Sequence, residues 1–435
     1  MLNRRLRVRA GAAVLALVVC AATAQAQRPR PDRPYRGLFG GSGANPNSTQ
    51  QLDLNISLFA AYDDNVLASA PQSSFDPRFQ KSGNYDGGTI SLDYTRRVGR
   101  GTIDFTGGST YRYYPSLSEL NSANSFMSVG LSSKLSPRTD FRATESASYS
   151  PFYSLGAVPG LTTFVPGGIA PITSDYPLAQ DSALSLLSSA ALDHRLTPRA
   201  SLSVDYLAQY TKYRASDRVY DNFLGGGRYS YQLNSRASMR LGYHYRRYDS
   251  VLAGLSSPTS GHDIDFGMDF TRPLSPSRTM KYGFGVGTSV YRSAATTFVL
   301  ATGSAYVTRQ ISRSWSANLS YSRGIQYVAG FSSPFFSDSV SGGLSGYLSP
   351  RSSVHLSGAY SNGQAGIGTS NQGYKTYSGV AGYQFALNRF IALTLDYDYY
   401  HYVFDPTVVL PPGIGRGLNR QSIRGGLNLW LPLLR

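Results

Sequence analysis

Apolar and polar residues alternate along most of the chain from residue 51 onward. In the segment 52–58, leucine or isoleucine occupies every second position, and Asp53, Asn55 and Ser57 stand between them. The segments 263–270, 280–287 and 393–400 have the same period of two. Successive side chains of a strand point to opposite faces, so this period predicts strands with one apolar and one polar face. No long stretch has the period of an amphipathic helix.

Short connectors rich in Ser, Pro, Asn and Arg interrupt this alternation at regular intervals. They lie at 98–101, 135–138, 196–199, 233–236, 274–278, 311–314, 348–351 and 387–389. Their first residues are 37 to 41 positions apart, except for one interval of 61. Such compositions suit tight turns, so each interval holds two strands and one longer connector. Eight turns therefore predict nine hairpins, or eighteen strands.

The predicted strands have roughly 11 to 15 residues each, enough to cross an outer membrane when tilted. They cover 51–62, 86–97, 102–114, 125–135, 140–150, 182–194, 200–213, 221–233, 237–248, 261–272, 279–290, 297–311, 315–327, 338–348, 352–362, 374–386, 390–402 and 419–431. The longer connectors include 63–85, 150–181, 249–260, 328–337, 362–373 and 403–418. We therefore predict an all-β fold, a single transmembrane antiparallel β-barrel of about 18 strands with periplasmic termini and turns. A soluble propeller is the alternative, but its repeats need four short strands rather than two long ones.

Aromatic residues are concentrated near both ends of these strands. At the ends next to long connectors stand Tyr111, Tyr113, Tyr114, Tyr243, Tyr245, Tyr248, Tyr399, Tyr400 and Tyr402, and at the other ends Trp315, Phe385, Phe390 and Trp430. Two aromatic girdles at the membrane interfaces are typical of such barrels.

The first residues read as a targeting segment. Residues 1–26 combine four arginines, an apolar run over 10–23 and a small-residue cleavage site at 24–26, which predicts a secretory signal peptide. Residues 27–50 are rich in Pro, Gly and Arg and predict a disordered periplasmic leader, so the barrel covers 51–435. The single cysteine, Cys20, falls inside the signal; lipidation there is the alternative, although Val19 stands where a small residue is expected.

Composition fits the same picture. The chain carries 41 Lys and Arg against 25 Asp and Glu, a formal net charge of +16, and only 15% of its residues are charged. A mean hydropathy of −0.23 is too polar for a helical membrane protein but suits strands that are apolar on one face only. The basic balance gives only a weak indication of anionic cargo or of contacts with lipopolysaccharide.

Charged residues of both signs recur on the predicted polar faces. They are Asp93, Asp104, Arg112, Asp205, Arg240, Arg246, Asp263, Asp265, Asp269, Lys281, Asp396, Asp398 and Arg424. Such side chains are costly in lipid but stay solvated in a water-filled channel, so we interpret them as lining a lumen.

Other chemistry has little support in the residues. The five histidines show no metal-binding spacing, no cofactor motif is present, and nothing points to catalysis or nucleic-acid binding. The run 63–65, Asp-Asp-Asn, could bind calcium or form a strand-end turn. The connector 150–181 is unusually apolar, so Phe152, Tyr153, Phe164 and Tyr176 are candidates for a constriction inside the lumen; a cap over neighbouring loops is the alternative.

Two stretches resemble a known family. The run 55–66, ending in Tyr-Asp-Asp-Asn-Val, and the closing strand 425–431 are similar to outer-membrane β-barrel porins that often occur with exopolysaccharide export machinery. One departure is the C-terminus, which ends at Arg435 without the terminal aromatic residue common in such barrels; Trp430 is the candidate replacement.

The resemblance implies a conduit for a secreted polysaccharide in the outer membrane of a Gram-negative bacterium. The implied partners are outer-membrane lipid and lipopolysaccharide, a periplasmic export component, and polysaccharide or small-solute cargo. A diffusion porin for small sugars or anions and a structural or adhesive barrel with a plugged lumen remain the alternatives.

Overall fold

The computed structural model describes fifteen stretches of the chain. They are residues 49–66, 82–116, 118–151, 153–154, 177–179, 181–214, 217–252, 255–275, 278–293, 296–312, 314–327, 331, 333–367, 372–410 and 415–434. The predicted signal peptide and most of the leader lie outside them, so those two assignments stay predictions.

Eighteen long strands and two short ones account for most of these residues. The strands are Gln50–Asp63 (β1), Gly83–Val98 (β2), Gly101–Tyr113 (β3), Ser122–Ser136 (β4), Thr139–Ser150 (β5), Tyr153–Ser154 (β6), Pro177–Ala179 (β7), Ala183–Arg195 (β8), Ala200–Tyr213 (β9), Val219–Asn234 (β10), Ala237–Leu252 (β11), Leu255–Ser275 (β12), Arg278–Ser293 (β13), Thr296–Gln310 (β14), Trp315–Gln326 (β15), Phe335–Ser349 (β16), Ser352–Ala365 (β17), Gly373–Ala386 (β18), Ile391–Phe404 (β19) and Gly417–Leu434 (β20). A short 3-10 turn, Ser118–Leu120, precedes β4.

The long strands form one closed antiparallel sheet. Each pairs with its neighbours in chain order, and β1 pairs with β20 as well as with β2. The short strands β6 and β7 pair only with each other. Closure leaves no strand edge unpaired, and the predicted eighteen-stranded barrel is confirmed.

One predicted connector is wrong. The segment 249–260 was expected to be a long loop, but β11 runs to Leu252 and β12 starts at Leu255. The ladder continues through pairs such as Asp249 with Pro258. The polar, Ser-rich sequence hides these pairs, because ladder hydrogen bonds depend on the backbone and not on an apolar face.

Six of the eight tight turns share one hydrogen-bonding pattern. A Ser, Thr or Asn side chain accepts a hydrogen bond from the backbone N–H two residues later, at Arg138, Arg199, Arg236 and Arg351, over 2.8 to 3.2 Å. Side-chain acceptors of this kind mimic a backbone turn. This pattern explains the recurring Ser/Thr-Pro-Arg and Asn-Ser-Arg sequences.

Contacts across the barrel identify its interior face. Arg246 on β11 donates through Nη1 to the backbone oxygen of Ile325 on β15 at 3.0 Å. The ring of Tyr248 stacks on that of Tyr327 with 4.5 Å between centroids. Three strands separate β11 from β15 in the sheet, so these contacts run through the inside. Directly paired residues share a face, and the register carries this assignment around the barrel.

The opposite, outward face is apolar and exposed. Leu58 and Val286 are each 61% exposed, and Ile264, Leu319 and Leu356 lie on the same face. A soluble protein rarely leaves such a belt in water. A closed β-barrel with an apolar outside and a polar inside is the architecture of Gram-negative outer-membrane proteins, and this chain is a transmembrane barrel of that kind. In the part of the chain that the structure describes, no helix is long and apolar enough to span a membrane.

The run 62–66 closes the barrel at the seam between β1 and β20. The carboxylate of Asp63 accepts hydrogen bonds from Nε and Nη2 of Arg420 at 2.8 and 2.5 Å, and the two side chains are only 1% and 2% exposed. Asp64 accepts from the backbone N–H of Gln421 at 2.7 Å, and Asn65 donates to the backbone oxygen of Asn419 at 3.0 Å. These contacts favour a strand-end role for this run over a calcium site.

Candidate functional site

The register places all thirteen predicted lumen residues on the interior face. Asp205, for example, pairs with Gly226, which pairs with His244, which pairs with Asp263. Most outward neighbours of these residues are apolar or aromatic, as at Ile264, although Arg247 next to Arg246 is charged. The charges therefore share one polar surface around the inside of the barrel.

Ion pairs form a column on β11 and β12, which we call the β11–β12 wall. Arg246 pairs with Asp263 next to the long-connector end. Further toward the turns, Nη1 of Arg240 lies 2.5 Å from Asp269, which also accepts a hydrogen bond from the hydroxyl of Tyr306 at 3.0 Å.

A histidine links this column to the neighbouring strand. Nε2 of His244 lies 3.3 Å from Asp205 on β9, and its Nδ1 lies 3.9 Å from Asp265. The imidazole thus stands between two carboxylates. The wall presents both signs of charge over its whole height.

The charged side chains of the β11–β12 wall pack directly over inward-facing glycines. A Cβ atom at Gly267 would stand 2.6 Å from Nε of Arg240, and one at Gly285 would stand 3.1 Å from Nη2 of the same arginine. A Cβ at Gly242 would stand 2.3 Å from Oδ1 of Asp265. The charged groups therefore lie flat against the wall, which keeps the lumen wide.

A second mixed-charge wall stands half-way around the barrel on β19, β20 and β1, and we call it the β20–β1 wall. Nη2 of Arg424 lies 3.3 Å from Asp396, and its guanidinium lies 5.2 Å from the ring centre of Phe59. Asp398 is buried beside this pair. A solute inside the barrel would pass between two surfaces that each carry both charges.

The remaining predicted residues are spread around the lumen. Asp93 accepts a hydrogen bond from Asn55 at 2.8 Å, and Asp104 accepts one from Thr95 at 3.0 Å, both on the wall formed by β1 to β3. Arg112 is buried near the long-connector end of β3, and Lys281 lies near the turn end of β13. Within the described residues, no group of three or more potential ligands could hold a metal ion.

Two described residues of the connector between β15 and β16, Tyr327 and Phe331, lie inside the lumen and form a feature that the sequence did not predict. The hydroxyl of Tyr248 on β11 donates to the backbone oxygen of Phe331 at 2.9 Å. The ring centre of Phe331 lies 4.8 Å from that of Phe335 on β16 and 5.7 Å from that of Phe404 on β19. With Tyr327, these residues make up what we call the aromatic bridge.

The aromatic bridge crosses the interior. Seven strands separate β11 from β19 in one direction around the sheet and nine in the other, so the bridge divides the long-connector end of the lumen into two sectors. Further buried residues extend it along the wall: Tyr213, Tyr220, Tyr374, Tyr400, Tyr402 and Leu418. Burial raises the pKa of Tyr327 above its ordinary value, so its phenol stays neutral at physiological pH.

This bridge corrects part of the girdle prediction. Tyr248 and Tyr402 were assigned to the lipid interface, but the register turns them inward, together with Tyr400 and with Trp430, which pairs with Asn55. Proximity to a strand end cannot separate the two faces, because neighbouring residues alternate between them. The period itself held the signal, since Tyr400 and Tyr402 are in phase with Asp396 and Asp398.

The predicted constriction in the connector 150–181 is untested. Phe152, Phe164 and Tyr176 lie outside the described residues, and of Tyr153 only the backbone, in β6, is described.

Comparison with known proteins gives matches among solved structures only. No protein-family model and no curated protein matches the chain. Similar solved structures include Pseudomonas aeruginosa OpdL, with a TM-score of 0.44 and 12% identity over 88% of this chain and 99% of that one. The outer membrane protein OprD of Pseudomonas aeruginosa has a TM-score of 0.44 and 11% identity over 89% and 94%. Acinetobacter baumannii OccAB4 has a TM-score of 0.45 and 10% identity over 89% and 100%.

Proposed function

We propose that this barrel is a passive diffusion channel for small polar solutes, with the aromatic bridge setting the size of what passes. The bridge is the observation that carries the proposal. It places ring side chains across one end of the interior, while the sectors on either side of it lead to the charged walls. Channels that admit solutes without a binding cage combine a narrow zone with a wetted wall in this way.

The walls suggest which solutes fit. Arg240, Arg246 and Arg424 each have a carboxylate partner, so neither sign of charge dominates the described lumen. We expect weak ion selectivity and passage of small sugars or organic acids. Sugar rings can pack against aromatic faces at the bridge, and their hydroxyl groups can hydrogen-bond to the walls.

Polysaccharide export has less support. A conduit for a hydrated polymer needs one broad opening, whereas the bridge divides the end of this lumen. Nothing in the described residues points to an export partner. The diffusion channel, one of the alternatives that the sequence left open, is therefore the better interpretation.

Single-channel conductance in planar bilayers tests the role of the bridge. Phe331→Ala removes the ring that joins β11 to β19, so conductance should rise by a clear margin over the wild type. Phe223→Ala is the matched control, since Phe223 is an aromatic residue on the lipid-facing side of β10 and should leave conductance unchanged. Equal conductance of the wild type and Phe331→Ala would contradict the proposal, and a wild type that does not conduct would favour a plugged barrel.

Transport in cells separates the proposed channel from an exporter. Deletion of the gene should slow uptake of small sugars or organic acids and leave surface polysaccharide intact. Loss of surface polysaccharide with normal uptake would reject the diffusion channel in favour of export.

A further inference from the structure

The eight tight turns share a charge pattern that the turn geometry does not require. Each contains one arginine and no acidic residue: Arg100, Arg138, Arg199, Arg236, Arg278, Arg313, Arg351 and Arg389. In four of them the hydrogen bonds of the arginine use only its backbone N–H and C=O groups, as at Arg138 and Arg351. The fold alone therefore gives no reason for a guanidinium at every turn.

The arginine side chains are available for binding. All six whose side chains the structure describes are exposed. None of these six makes an ion pair with a described residue. By contrast, most arginines deep in the lumen have a carboxylate partner, as Arg240 and Arg424 do. At these six turns, no carboxylate of the described residues neutralises the guanidinium charge.

An exposed aliphatic residue accompanies the arginine in seven of the turns. These residues are Val98, Leu135, Leu196, Leu233, Ile311, Leu348 and Leu387, all between 40% and 61% exposed. Each follows an inward-facing residue of its strand, so it points to the lipid side. Exposed aliphatic groups beside cations match a membrane interface, where acyl chains and phosphates meet.

Three further arginines near the turns stand on the lipid-facing side. Arg96 pairs with the outward Ile103, and Arg272 and Arg309 both pair with Met280 on the outward face. All three are exposed. A cation there faces the lipid side, because the lumen is on the other face of the sheet.

We infer that the tight-turn rim is a binding belt for the phosphate groups of the adjacent lipid leaflet and prefers anionic phospholipids. Salt screens exposed charges beyond about 8 Å at physiological ionic strength, so the arginines act mainly on groups in direct contact with them. Lipid phosphates beside the rim are such groups, whereas solutes at the pore axis are not. The belt also fixes the depth of the barrel, with aliphatic groups in the acyl region and guanidinium groups at the phosphates.

A native tryptophan can report on this belt. Trp315 begins β15 two residues after Arg313 in the chain and faces outward. Its Nε1 donates to the backbone oxygen of Tyr347 at 3.0 Å, close to the turn that holds Arg351. Trp430, the other tryptophan, faces inward and is 7% exposed. Quenching by brominated lipids should therefore come from Trp315, and Trp315→Phe should abolish it.

The experiment compares brominated phosphatidylglycerol with brominated phosphatidylcholine in vesicles that contain the full barrel. We expect a preference for phosphatidylglycerol at Trp315 of about fivefold per contacting arginine. The double variant Arg313→Gln, Arg351→Gln should lose most of it, and high salt should weaken it. Arg292→Gln is the matched control, because Arg292 is exposed and outward-facing near the opposite end of the barrel.

Equal quenching by the two lipids in the wild type would overturn the inference, as would a preference that survives the double variant. Co-sedimentation with purified peptidoglycan tests the other anionic surface near this rim. Arginine-dependent binding to peptidoglycan without any lipid preference would reject the lipid belt and assign the ring to the cell wall.

Discussion

The seam between the first and last strands offers the sharpest test of how this barrel is held closed. Asp63→Asn removes the negative charge from a carboxylate that receives two hydrogen bonds from Arg420. Both side chains are almost fully buried, so no solvent screening reduces the interaction. The variant leaves the arginine charge buried without the Asp63 carboxylate.

The expected cost follows from that burial. Removing one member of a buried ion pair destabilises a protein by about 3–5 kcal/mol. At 1.4 kcal/mol per factor of ten, the folded-to-unfolded ratio should fall by roughly two to three and a half orders of magnitude. Arg420→Met should cost a similar amount, and the double variant should cost much less than the sum of the two.

Urea unfolding of the barrel in lipid vesicles, followed by tryptophan fluorescence, measures these free energies. Asp86→Asn is the control, since Asp86 is an exposed aspartate near the same end of β2 and should change stability little. Additive effects of the two seam variants, or a loss no greater than that of the control, would show that the pair does not hold the seam.

Three further predictions address the wall, the mouth and the orientation. Gly267→Ala places a methyl group 2.6 Å from Nε of Arg240, so it should displace the ion pair of Arg240 and shift the reversal potential in a salt gradient. Gly379→Ala is the control, because its methyl group meets no atom within 4 Å and should not shift the potential. Burial raises the pKa of Tyr114 to about 12, while the same residue in the unfolded chain ionises near 10. The stability that this residue contributes below pH 10 should therefore be lost between pH 10 and 12, at up to about 1.4 kcal/mol per pH unit. Tyr114→Phe should reduce this slope when the free energy of unfolding is measured in urea. Single cysteines test orientation: Arg138→Cys in a tight turn should stay unlabelled by an impermeant thiol reagent on intact cells, and Ser118→Cys in a long connector should react, so the reverse pattern would invert the topology.

The strands and their number follow from local chemistry, which is why the sequence predicts them. A period of two needs only the alternation of neighbouring side chains, and Ser/Thr-Pro-Arg or Asn-Ser-Arg forms a tight turn wherever it occurs. The same alternation marks Asp263 and Asp398 as sharing the polar face. Partners could not be predicted in this way, because the ion pair of Asp63 joins residues 357 positions apart.

The tertiary structure alone decided the aromatic bridge. The sequence places Tyr248 and Phe331 near the ends of strands and in a connector, and nothing local distinguishes a connector that lies outside from one that enters the lumen. Barrel closure brings β11, β15 and β19 around a shared interior. There the rings of the bridge pack against one another and are removed from water. Alternation along a chain is a property of neighbouring residues, so the sequence by itself determined which side chains line the lumen. A contact across the barrel depends on how many strands close the ring, so only the fold determined the aromatic bridge.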